Sequence, residues 1–166
     1  MMAAVASLAI ALSPTACADC ERDAEFPDID SFPAVNLADY AQIGTHPSTS
    51  VYRFTTPAGV QCVVGMITEM GVQCWGAPVG AAPRSAITAS TLAAAAYSEQ
   101  APNLHGDAKL LPADSKLDAG NGVVCAVIAD DTLACRAGPN GAMTPDGPVH
   151  HGVHGFVIQP SGNWTF

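Results

Sequence analysis

The sequence is poor in positive charge: six lysines and arginines stand against fifteen aspartates and glutamates, a formal net charge of −9. Such a chain cannot neutralise a run of phosphates, and its field repels them, which argues against nucleic acid as a partner. The same field opposes charge-driven binding to an anionic membrane. Aromatic residues are scarce, at 6%. The apolar run Met1 to Leu12 stops at Ser13-Pro14 and is too short to span a bilayer. Catalytic signatures are missing as well. There is no Gly-x-Ser-x-Gly nucleophile turn and no glycine-rich phosphate loop. The densest run of carboxylates lies near the N-terminus, so no pair suited to glycoside hydrolysis is indicated.

What the chain has instead is glycine and proline, 15 and 13 of them in 166 residues, with only 13% charged residues. That balance suits a turn-rich β domain better than a helical bundle or a disordered chain. The length is enough for one domain with its own core.

Two matched stretches organise the body. Gly59-Val60-Gln61-Cys62 returns as Gln73-Cys74-Trp75-Gly76, and Gly122-Val123-Val124-Cys125 returns as Ala134-Cys135-Arg136-Ala137-Gly138. Each reads as a β-hairpin with one cysteine on each strand. Setting Cys62 opposite Cys74 centres the first loop on Thr68, and Cys125 opposite Cys135 centres the second on Asp130. Odd loops of this kind are common hairpin connections. Facing cysteines at a non-hydrogen-bonded pair come close enough to bridge, each bridge stabilising by roughly 2–4 kcal/mol. Four body cysteines allow three connectivities, and crossed ones stay open. The local pairs are favoured because both loops are short and the stretches match. A four-cysteine zinc site would need close Cys-x-x-Cys pairs, which are absent.

The N-terminus reads as a leader. After the apolar run, Ala16-Cys17-Ala18 offers a small-x-small cleavage pattern, so residues 1–18 are expected to be a secretory signal peptide, although no Lys or Arg precedes the run. Lipidation at Cys17 is the alternative, with Pro14 ill-placed for it. Residues 19–45 are expected to be a flexible acidic tether, Asp19 to Asp30, and a surface strap from Phe26 to Tyr40, since Pro27 and Pro33 interrupt a helix there. Cys20 would be the odd cysteine of the exported chain, in an acidic setting that raises rather than lowers a thiol pKa.

Residues 46–166 are expected to form a single β domain. Val51 to Thr55 alternates and reads as a strand, turned by Thr56-Pro57-Ala58-Gly59 into the first cysteine hairpin. Ile87 to Tyr97 has the highest helix propensity of the chain, which predicts a short helix or an irregular excursion. Ala108 to Leu111 and Ser115 to Leu117 read as short strands, and Gly138 to Gly152 as a long polar loop. Gly155 to Phe166 reads as a third hairpin turned at Pro160-Ser161-Gly162, its terminal aromatics pinned into the core. The sum is an all-β domain, a small antiparallel sandwich or barrel of about eight short strands with two disulfide-clipped hairpins and at most one short helix.

His150, His151 and His154, with Asp146 nearby, form the most suggestive cluster and could hold a transition metal such as Zn²⁺ or Cu²⁺. The plainer reading is a polar loop entering the last hairpin. Tyr52, Trp75, Tyr97 and Trp164 could line a sugar or lipid groove, though aromatics at strand positions more often pack in a core. Asn163-Trp164-Thr165 matches a glycosylation acceptor by pattern alone.

The segments Phe54 to Cys62, Val72 to Cys74, Asn121 to Cys125, Asp131 to Cys135 and His154 to Phe166 together resemble a group of small exported proteins of actinobacteria, mycobacteria especially, often secreted or lipid-anchored. The resemblance covers most of the chain from Phe26 onward. It implies an envelope or extracellular location and two cysteine pairs, and it carries no catalytic residue. The resulting expectation is a monomeric exported binding or interaction module for an envelope ligand or protein, touching the membrane only if lipidated at Cys17. A metal-binding exported protein and an extracellular hydrolase are the alternatives.

Overall fold

A computed structural model describes residues 26–43, 50–65, 71–80, 85–99, 107–120, 122–138, 143–144, 147–148 and 153–166. The expected signal peptide at residues 1–18, with Cys17, Cys20 and most of the expected acidic tether, lies outside the described residues.

The fold is an all-β sandwich of two mainly antiparallel sheets. The first contains β1 (Ala41–Ile43), β2 (Ser50–Thr55), β3 (Gln61–Val64), β4 (Gly71–Trp75), β5 (Ala86–Ser90) and β6 (Ala96–Ser98), paired in that order. A further strand, β7 (Lys109–Leu110), runs parallel to β2. The chain then crosses to the second sheet through β8 (Ser115–Asp118), β9 (Val123–Ile128) and β10 (Thr132–Ala137). A separate ribbon of β11 (Met143–Thr144) and β12 (Gly147–Pro148) interrupts the expected 138–152 loop. Finally, β13 (His154–Ile158) and β14 (Trp164–Thr165) complete the second sheet in the order β14-β13-β10-β9-β8. The strands number more than the eight expected because several are two- or three-residue edge pieces.

Both cysteine hairpins have the register the sequence implied. Cys62 lies opposite Cys74 and Cys125 opposite Cys135, each pair with Cα atoms 4.1 Å apart and bridged. The second hairpin turns at 129–131, between Ile128 and Thr132, while the apex of the first lies outside the described residues. All four sulfur-bearing residues are fully buried between the sheets. Around them, Phe54, Val64, Val72 and Ile87 from the first sheet meet Val127, Leu133, Phe156 and Ile158 from the second. These positions alternate along their strands, as the period of two requires when one face is the core.

Over Ile87 to Tyr97 the short helix does not form, and the irregular excursion is confined to residues 91–95 between two strands. Ala86–Ser90 pairs with β4, placing Ile87 beside Cys74 and Ala89 beside Val72, and Ala96–Ser98 adds the next strand. Ala has little β preference, but the open edge of β4 and the apolar core under Ile87 and Ala89 outweigh local propensity. Ser90 ends the strand, its Oγ accepting from the amides of Leu92 and Ala93 (3.2 and 3.0 Å).

The strap is integral to the domain. Phe26 packs against Trp164 and Phe166, Ile29 is fully buried with Val124, Ala126, Ala134 and Val157, and Ala34 bridges Lys116 of β8. It therefore crosses the outer face of the second sheet before joining the first sheet as β1. Asp28 and Asp30 belong to this ordered strap, at the 3-10 turn Ile29–Ser31, and not to a tether. The cover explains why β9 is apolar on both faces. It also relocates the terminal aromatics: Trp164 and Phe166 close this outer cluster rather than entering the central core, and Phe166 keeps 39% exposure.

Candidate binding cleft

One residue row sets the site. Pairing places Asp118 beside Val124, Val124 beside Arg136, and Arg136 beside Gly155 across β8, β9, β10 and β13. Val124 and Arg136 alternate with Cys125 and Cys135, so their side chains leave the core face and point outward. With strands about 4.8 Å apart, Asp118 and Arg136 stand about 10 Å from each other, with Val124 between them. Arg136 and Val124 form part of the floor of an open cleft of ≈ 570 Å³, walled by Asp118, Gly120, Gly122, Gly138 and Val153.

The two charged groups are held differently. Asp118 accepts from the Gly120 amide at 2.9 Å, which fixes one carboxylate oxygen against the β8–β9 turn. Arg136 makes a two-pronged ion pair with Asp30 of the strap, at 2.7 and 2.8 Å. The strap backbone is tied at the same point, because Lys116 Nζ donates to the Asp30 carbonyl at 2.7 Å. Asp30 thus ties the strap to the Arg136 side of the cleft. Beneath the cleft, the bridged β9–β10 hairpin gives it a stiff floor.

Gly155 finishes the row. Its amide and carbonyl exchange hydrogen bonds with Phe166 (3.1 and 3.0 Å). A Cβ there would lie 2.5 Å from the Phe166 ring and 2.6 Å from the Cys135 carbonyl oxygen. Only glycine leaves room for the terminal ring this close to the strand.

A smaller hollow of ≈ 310 Å³ lies among the turns, lined by Ala58, Pro78, Asp131, Gln159 and Pro160. Asn163 braces it: Nδ2 donates to the carbonyls of Pro78 and Val79 (2.8 and 3.2 Å), and Oδ1 accepts from the Gln159 amide (3.1 Å). This amide is therefore a structural clamp, and a glycan on it would break the clamp.

The remaining sequence candidates are dispersed. Of the histidine trio, His150 and His151 lie outside the described residues. His154 opens β13 opposite Ala137, half-buried. Among the described residues, no group of three His, Cys, Asp or Glu side chains is placed to hold a metal ion. Tyr52 packs against the central core, Trp75 points away from it, Tyr97 is exposed and Trp164 lies on the second sheet's outer face, so the structure assembles no aromatic groove from them. Asp118, Val124, Arg136 and Asp30 were not singled out from sequence. Hairpin register alone would have put Val124 opposite Arg136, but nothing local pointed to Asp30.

Two buried disulfides indicate that the chain matures in an oxidising, non-cytoplasmic setting. Among the described residues no helix is long and apolar enough to cross a membrane. Comparison with protein-family models, with curated proteins and with solved structures found no match.

Proposed function

We propose that this protein is an exported binding module of the cell envelope or extracellular space, and that the Asp118–Val124–Arg136 cleft is where it takes its ligand. The observation that carries the reading is the cleft itself: opposite charges on either side of an apolar residue, mounted on a hairpin stiffened by its own disulfide. Small-molecule sites commonly combine an apolar lining with a few fixed polar groups. The spacing suits a small polar ligand with an apolar middle. Membership of the exported actinobacterial group is part of the same proposal and rests on the sequence resemblance.

The test is an amide-resolved NMR titration of the oxidised, leader-free protein with a panel of neutral sugars, amino acids and simple carboxylates. Saturable shifts confined to Val124, Arg136, Gly138 and Val153 are expected. Shifts elsewhere only, or none with the whole panel, refute the cleft. Robust turnover of ester, peptide or glycan substrates by the same sample would overturn the binding-module reading in favour of a hydrolase. Intact-mass measurement of the natural protein, with and without reduction, tests export by reporting leader removal and any lipid.

A further inference from the structure

We infer that Asp30 is a built-in competitor for the cleft: its carboxylate occupies the Arg136 fork that a carboxylate-bearing ligand uses, and the ligand binds by exchanging with it. This rests on the cleft being the ligand site. A guanidinium presents a planar fork matched to two carboxylate oxygens, and Asp30 fills it with paired contacts of 2.7 and 2.8 Å. The geometry of the fork thus selects a carboxylate over a spherical anion.

Exchange is feasible because the pair is weakly held. The Asp30 side chain is 58% exposed and that of Arg136 31%, so water and salt screen their attraction. The anchors of the strap lie elsewhere. Ile29 is buried at 0% exposure, and Lys116 holds the Asp30 carbonyl rather than its carboxylate. The carboxylate can therefore swing off Arg136 while Ile29 and the backbone stay seated. On the far side of Val124, Asp118 disfavours a second anionic group and accepts a donor, so a ligand carrying one carboxylate and a donor about 10 Å or less away matches the row.

Sodium acetate is the probe, titrated into labelled, oxidised protein against sodium chloride at matched ionic strength. The readout is the Arg136 Nε resonance with the amides of Val124 and Gly138. Saturable shifts in acetate beyond those in chloride are expected. Asp30→Asn should tighten acetate binding by between about 1.5- and 5-fold, the range for releasing an exposed ion pair. Arg136→Gln should abolish the acetate-specific shift, and Arg136→Lys, which keeps the charge but not the fork, should weaken it. Identical shifts in acetate and chloride refute carboxylate selection. An unchanged or weaker acetate affinity in Asp30→Asn refutes the exchange. Either failure, with a neutral ligand still titrating the cleft, leaves the binding-module reading standing. Loss of the Trp164 and Phe166 ring shifts in Asp30→Asn would show that the carboxylate anchors the strap, and that too overturns the inference.

Discussion

Replacing each cystine by two alanines measures what the staples contribute. The bridges close loops with sequence separations of 12 and 10 residues. Loop-closure entropy of that size corresponds to about 3 kcal/mol per bridge at room temperature. All four cysteines are fully buried in the central core, so alanine also leaves a small void worth about 1 kcal/mol more. The pairs Cys62→Ala with Cys74→Ala, and Cys125→Ala with Cys135→Ala, should therefore each cost about 3–4 kcal/mol. Together they should remove about 6–8 kcal/mol, against a total of about 5–15 kcal/mol for a typical domain. Urea titration followed by tryptophan fluorescence gives both the midpoint and the slope. The slope should rise in each variant, because an uncrosslinked chain exposes more surface when unfolded. A loss below about 1 kcal/mol in either variant, or a full loss with an unchanged slope, would refute the loop-closure account.

Other perturbations probe the outer face and the turn end. Gly155→Ala should destabilise by about 1–3 kcal/mol, since its Cβ meets both the Phe166 ring and the Cys135 carbonyl; adding Phe166→Ala should recover only part of the melting-temperature loss, because the carbonyl contact remains. Asn163→Ala should cost about 1–2 kcal/mol in chemical denaturation by freeing the Pro78 and Val79 carbonyls, and an unaffected midpoint would show that the clamp is idle. Burial raises the Tyr40 pKa above 10.0; the Lys109 charge opposes this and Asp39 adds to it. Unfolded tyrosine ionises first, so this contribution is complete below pH 10.0 and disappears as pH rises through the folded value. Tyr40→Phe should flatten that alkaline decline in stability, at a cost of about 1 kcal/mol at neutral pH for the lost bond to the Leu110 carbonyl. Lys109, raised chiefly by its hydrogen bond to Asp39, acts in the same direction and should persist in that variant.

The sequence by itself determined what depends on neighbours along the chain. Matched cysteines with a short, odd number of residues between them set the register of two hairpins, and glycine and proline placed the turns at 56–59 and 159–162. Alternation along β2 then marked Tyr52 and Phe54 as its core side. Tertiary structure decided the rest, because the competing energies there come from partners distant in the chain. The alanine-rich 87–97 stretch became two strands once the edge of β4 needed partners. Trp164 and Phe166 went to the outer face because Phe26 and Ile29, more than a hundred residues earlier, arrive to cover it. Arg136 met Asp30 across 106 positions of sequence. Local pattern can say that Arg136 points outward, but only the path of the strap decides which carboxylate it finds.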